Sequence, residues 1–244
     1  MPTPGPYAWS DEFDAPAGTP VDPAKWKFDV GNRWGDNELE YYTDSTQNVV
    51  HDGNGNLAIT ARADNPANYQ CQYGTCRYTS GRVLTAGTFE QQYGWFEARI
   101  KIPSGRGIWP AFWLLGGNNW PAEGEIDIME VLGHAPDTLY GTAHGPGYSG
   151  ADAPTRKKVV ATPLSDDFHT YAVHWTPNLI VWYLDGTEYF RLTPADLGGK
   201  SWVYDHPFHL ILNVAVGGRW PGAPDASTVF PQTMLVDYVR VKAA

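Results

Sequence analysis

Basic side chains are scarce in this sequence. Lysine and arginine supply 17 residues against 27 aspartates and glutamates, a formal charge of −10. Nucleic acids and anionic membrane surfaces both reward Lys and Arg, so this balance argues against either as a partner. Charges of both signs make up only 18% of the chain, below the roughly 25% usual in soluble domains. No apolar run approaches the ~18 residues that a membrane-spanning helix needs. The opening Met1–Pro6 has neither the basic stretch nor the apolar core of a secretory leader. Cysteine is limited to Cys71 and Cys76, which flank Gln-Tyr-Gly-Thr. Two free thiols are one reading; a local disulfide is expected instead, because the segment reads as a polar loop. Such a bridge favours an oxidising compartment. The expected location is therefore extracellular, with the exporting segment not among these residues. No Cys/His cluster suggests zinc, and no glycine loop suggests a nucleotide. Convincing helical periodicity is absent throughout.

Aromatics, glycine and proline are plentiful. The chain of 244 residues carries 11 Trp, 26 Gly and 20 Pro, a composition of many turns and few long helices. Strand signals recur along its whole length. Phe96, Ala98, Ile100 and Ile102 alternate with Trp95, Glu97, Arg99 and Lys101. Phe208, Leu210, Leu212, Val214 and Val216 alternate with His209, Ile211, Asn213 and Ala215. Leu179–Leu184, Asp185-Gly186 and Thr187–Arg191 read as a hairpin with an Asp-Gly turn. With no linker, repeat or low-complexity tract, one all-β domain over residues 1–244 is predicted, an antiparallel sandwich of two sheets. Several strands carry Trp, Tyr, Glu, Asp, Arg and Asn where an outer face usually has Lys, Thr and Ser. Sugar rings stack on indoles and offer hydroxyls to carboxylates, so such a face resembles a groove for a sugar chain.

The densest chemistry lies in Gly124-Glu125-Ile126-Asp127-Ile128-Met129-Glu130-Val131, with three carboxylates in six residues. Charges beside Ile and Val on a core face cost too much, so Glu125 and Asp127 must share the face away from the core. Strict alternation would then send Glu130 inward. A β-bulge at about Ile128–Met129 flips the phase and restores all three acids to one face. Like-charge neighbours push carboxyl pKa values apart, which leaves one group ionised and one protonated near neutrality. An acidic solvated strand and a calcium site made by these acids are the alternatives.

Glu-Ile-Asp-Ile-Met-Glu, preceded by Trp109-Pro110-Ala111-Phe112-Trp113-Leu114-Leu115, closely resembles glycoside hydrolase family 16, in its bacterial laminarinase (endo-β-1,3-glucanase) branch. Agreement extends to Asn37-Glu38, Tyr41-Tyr42-Thr43, Ser80-Gly81-Arg82, Gly141-Thr142-Ala143-His144, Leu212–Gly218 and Val236–Val241. The resemblance implies a concanavalin-like jelly roll with an open cleft on its concave sheet. It further implies endo-hydrolysis of β-1,3-glucan with net retention of configuration, mixed β-1,3-1,4-glucan being a further substrate. Glu125 matches the nucleophile, Glu130 the acid/base, and Asp127 the residue that tunes their protonation. The extra residue, here Met129, goes with laminarinases; lichenases and xyloglucan transglycosylases lack it.

The same resemblance assigns glycosyl contacts to Asn37, Arg82 and Trp220, although Arg82 could equally be a structural salt-bridge partner. His144 matches a histidine near the acid/base. Trp109 and Trp113 lie four apart on the face opposite Pro110, Phe112 and Leu114, where sugar stacking is favoured over core packing. His174 and His209 are read as structural. A structural, non-catalytic calcium ion is expected far from the cleft, held by Glu12, the carbonyl of Gly55 and Asp237, with waters completing its shell. The expected partner is a β-glucan chain and the expected state a monomer. The competing functions are a relative acting on agarose, carrageenan or xyloglucan, and a non-catalytic glucan-binding module. The second would not need the three acids.

Overall fold

A computed structural model describes residues 6–32 and 35–244; most of the Met1–Pro6 segment lies outside them. Two antiparallel sheets face each other across one apolar layer, the expected jelly-roll sandwich. The first sheet runs Thr187–Leu192, Leu179–Leu184, His169–Thr176, Gly94–Lys101, Gln232–Lys242, Leu57–Ala61 and Val49–His51, with Trp9–Asp11 also paired to Gln232–Lys242. The second runs Thr155–Val159, Thr138–His144, Glu125–Val131, Ile108–Leu115, His209–Val216, Arg82–Leu84 and Lys27–Phe28. Helix among the described residues is confined to two short 3-10 turns, Gly150–Asp152 and Pro194–Leu197.

Period-two sequence becomes two-faced strand. Phe96, Ala98 and Ile100 from the first sheet meet Phe112, Leu114, Ile126, Leu210, Leu212 and Val214 from the second, all fully buried. Each of these side chains larger than alanine contributes about 1.5–3 kcal/mol relative to exposure, so a one-residue slip in either sheet would forfeit the layer. The Asp185-Gly186 turn has φ of 49° and 73° at its two residues. Both must be positive in the tight turn that matches the strand twist, which is why Asp-Gly occurs there. Cys71 and Cys76 are bridged and close the small hairpin Gln70–Cys71 and Gly74–Thr75.

The predicted bulge is present. Trp113 pairs with Asp127 and Phe112 with Met129, so Ile128 has no partner on that side. On the other, Asp127 pairs with Thr142 and Glu130 with Tyr140, leaving Gly141 alone opposite Ile128 and Met129. Ile128 and Met129 are both fully buried. The strand thus sends two successive side chains to the core and returns Glu130 to the outer face.

Candidate active site

The outer face of the second sheet is the floor of a groove of about 1350 Å³. Glu125, Asp127 and Glu130 lie along its middle strand. Trp109, Ala111 and Trp113 come from one neighbouring strand; Tyr140, Thr142 and His144 come from the other. Among the described lining residues six are carboxylates and two, Arg82 and Arg219, are arginines.

At the Glu125 end, His144 is the register partner of Glu125. Its Nε2 stands 3.1 Å from Asp127 Oδ2 and 3.7 Å from Glu125 Oε1. His144 Nδ1 accepts the amide hydrogen of Gly150 at 3.2 Å, so in the neutral ring the hydrogen sits on Nε2, close to Asp127 but without a hydrogen bond to its Oδ2. The sequence comparison placed His144 near Glu130. In the register His144 is opposite Glu125, while Glu130 pairs with Tyr140 toward the other end of the strand. Trp120 stands at the rim, half exposed, 5.9 Å from the His144 ring and hydrogen-bonded to Glu125.

At the other end, Trp109 Nε1 donates to Glu130 Oε1 at 3.1 Å. Trp220 stands edge-on to both Trp109 and Tyr140, with ring centroids 5.4 and 4.9 Å away. In the middle, Trp113 Nε1 donates to Asn213 Oδ1 at 2.8 Å, and the Arg82 guanidinium lies over the Trp113 ring at 4.9 Å. Arg82 also pairs with Asp29 at 3.0 Å. Arg82 thus lines the groove while its guanidinium is engaged in an ion pair. Asn213 Nδ2 donates to Tyr42 Oη, which donates in turn to Glu38 Oε2. His209, read from sequence as structural, lies on the groove floor; His174 belongs to the other sheet.

Asn37 departs from expectation. Asp36 and Glu38 line the groove and Asn37 does not. Its backbone is left-handed, with φ of 61°, and it sits between two residues that face the groove, where alternation points a side chain away. The residues that sequence reasoning missed are Asp36, Glu38, Trp120 and Tyr140. Tyr140 was findable, since it precedes the Gly141–His144 motif in strand phase with Thr142; Trp120 sits in a loop where no periodicity applies.

The three acids are all pushed above the ordinary carboxylate range. Burial is the main cause for each. Repulsion from Asp127 adds to it at Glu125, and repulsion from both Asp127 and Glu125 adds at Glu130. Asp127 rises to about 7 even though its hydrogen bond with Glu125 pulls it down. Near neutral pH the group therefore holds fewer than three charges, which means at least one proton is stored on it.

Glu125, Asp127 and His144 each offer a ligand atom within 4.8 Å of the others and could hold a metal ion. The Gly150 contact weighs against a resident one, because it leaves the hydrogen on the nitrogen a metal would take. The segments named for calcium converge elsewhere. Glu12 follows Asp11, the register partner of Val239, two residues from Asp237. A side chain built on Gly55 would begin 3.8 Å from Asp14 Oδ1. The Glu12 carboxylate is held by Arg240 at 2.7 Å and Asp237 Oδ2 by Arg99 at 2.6 Å. A cation there would thus draw on main-chain oxygens and on the remaining carboxylate oxygen of Asp237, the hard donors calcium prefers.

Residues 37–240 match the model of glycosyl hydrolases family 16. The chain belongs to that family. Among solved family 16 structures, the laminarinase catalytic domain of Thermotoga maritima MSB8 superimposes with a TM-score of 0.90 at 47% identity, covering 98% of each chain. A β-glucanase of Rhodothermus marinus is 43% identical over 96% of this chain and 83% of its own length. A glucan endo-1,3-beta-glucosidase A1 of Niallia circulans is 37% identical over 96% of this chain, which spans only 37% of that protein.

Proposed function

We propose that this chain is a retaining endo-β-1,3-glucanase that also accepts mixed β-1,3-1,4-glucan and acts outside the cell. One observation carries the reading: a bulge puts Glu125, Asp127 and Glu130 in phase on the floor of an aromatic-walled groove. Glu130, kept protonated by burial and its acidic neighbours, donates to the leaving glycosidic oxygen. Glu125 attacks the anomeric carbon, and water then hydrolyses the glycosyl ester with Glu130 as base. Asp127, beside His144 Nε2 at 3.1 Å, takes up the proton it shares with Glu125, so that Glu125 is ionised when it attacks. The wall residues Trp109, Trp113, Trp120, Tyr140 and Trp220 offer ring faces and edges to glucosyl units. A lining of six carboxylates and two arginines suits a neutral glucan and opposes sulfated chains. The groove's aromatics would serve a mere binding module equally well; the stored proton would not be needed there. At the far site Glu12, Gly55 and Asp237 would hold a calcium ion that ties the chain's two ends together, and adding calcium to chelated protein should raise the melting temperature with little change in kcat.

The deciding experiment replaces the nucleophile. Glu125→Ala should lose nearly all turnover on laminarin yet bind it, and azide should restore cleavage of an activated substrate as an α-glycosyl product. A β product, or normal turnover without azide, removes Glu125 from the role. Product analysis on laminarin, lichenan, xyloglucan and agarose ranks the substrates.

A further inference from the structure

A side chain from the opposite sheet reaches through the core to the bulge. Trp182, fully buried on Leu179–Leu184, donates its indole N–H to the main-chain oxygen of Asp127 at 2.8 Å. That oxygen belongs to the residue at which the ladder to Thr138–His144 loses register. The partner strand is cut away to admit the ring. Gly141, alone opposite the bulge, could not carry a side chain: its first carbon would lie 2.7 Å from Trp182 Cδ1 and 2.5 Å from Tyr189 Oη. The indole is held in turn by Phe190, stacked at 4.5 Å. Phe190 is the register partner of Trp182, at a second irregularity that leaves Tyr189 unpaired between Phe190 and Glu188.

We propose that Trp182 is a positioning residue whose indole N–H pins the Asp127 carbonyl, fixes the bulge and so sets the aim of Glu130 relative to Glu125, with Gly141 as the opening that admits it. The proposal rests on the reading of Glu125 and Glu130 as the reacting pair. Ordinary core packing would need only the ring's bulk. A positioning role needs the N–H, because a bulge left to slide would re-aim the carboxyl that follows it.

The two roles separate in Trp182→Phe, compared with Trp26→Phe on the full-length chain. Trp26 is an equally buried indole whose N–H goes to Asp11 Oδ2 at 2.9 Å, away from the groove. Both variants should lower the melting temperature. Trp182→Phe should also lose roughly tenfold to a hundredfold in kcat, the scale of an ångström's misplacement, with KM on laminarin little changed. Its kcat–pH profile should shift as well, since spacing sets the repulsion between the two carboxyls. Trp26→Phe should keep kcat and profile. Gly141→Ala should follow Trp182→Phe. If Trp182→Phe does not fold, benzothienylalanine at 182 keeps the ring and removes only the N–H. Wild-type kcat and pH profile in whichever 182 variant folds, with Glu125→Ala inactive, would overturn the proposal alone. Wild-type turnover in Glu125→Ala and Glu130→Ala would instead overturn the reading beneath it.

Discussion

His144 Nε2 and Asp127 Oδ2 stand 3.1 Å apart, and the other imidazole nitrogen is already occupied by the amide of Gly150. In the neutral ring the hydrogen is therefore on Nε2, the nitrogen nearest Asp127, although it makes no hydrogen bond to Asp127 Oδ2, and burial keeps the ring's pKa below the ordinary histidine value. Replacing His144 by Leu removes the N–H nearest the buried Asp127 and Glu125 carboxylates and should cost roughly tenfold to a hundredfold in kcat, the scale of a misplaced reacting group. His144→Gln retains an N–H and should lose less. Equal losses in the two variants would show that the donor is not what matters.

Trp109 holds the ionised form of Glu130 through its indole N–H, which pulls the Glu130 pKa down against the larger effect of burial. Without that donor the pKa rises. Trp109→Phe should consequently move the basic limb of the kcat/KM–pH profile to higher pH, because the acid stays protonated longer. A limb that moves to lower pH contradicts the assignment of Glu130 as acid.

Asp127 rises to about 7 on folding from an ordinary value of 3.8. Below the unfolded value both states are protonated and folding is unpenalised. Between the two values the folded state binds more protons, so stability falls as pH rises toward 7. Asp127→Asn cannot ionise and escapes that loss. The variant should melt above the wild type at pH 8, with the gap closing as pH falls toward 4. Each kcal/mol recovered is worth about 2–4 °C at this size. A gap that is constant with pH, measured by differential scanning calorimetry, would assign the effect to packing instead.

Met129 supplies the residue that corrects the phase. Deleting it gives Glu-Ile-Asp-Ile-Glu, whose acids alternate onto one face without a bulge, so measurable though reduced turnover should survive. Met129→Ala keeps the backbone insertion and should perturb turnover less, while its cavity costs about 2–5 kcal/mol of stability. A deletion variant that folds but has no activity would show that the bulge sets more than phase.

Much of this protein follows from local pattern. Alternation along 94–102 and 208–216 identified strands and their buried faces, because the side-chain period of a strand is two wherever it pairs. The Asp185-Gly186 turn announced itself through the two positive φ values it needs. Even the bulge was legible, since three carboxylates beside buried isoleucines admit no other phase. What local pattern could not give is which strands lie side by side. His144 went to the Glu125 end because of the register between two strands, a quantity set by how both fill the core and not by either sequence alone. Asn37 lies between Asp36 and Glu38, whose side chains take the groove face and leave it the other. Glu38, Tyr42, Asn213 and Trp113 form one hydrogen-bonded line although the sequence holds them up to 175 residues apart. Trp182 reads in sequence as one more core indole. Only the crossing of the two sheets brings its N–H to the Asp127 carbonyl, because contact across a sandwich depends on sheet angle and layer spacing, which no single strand encodes.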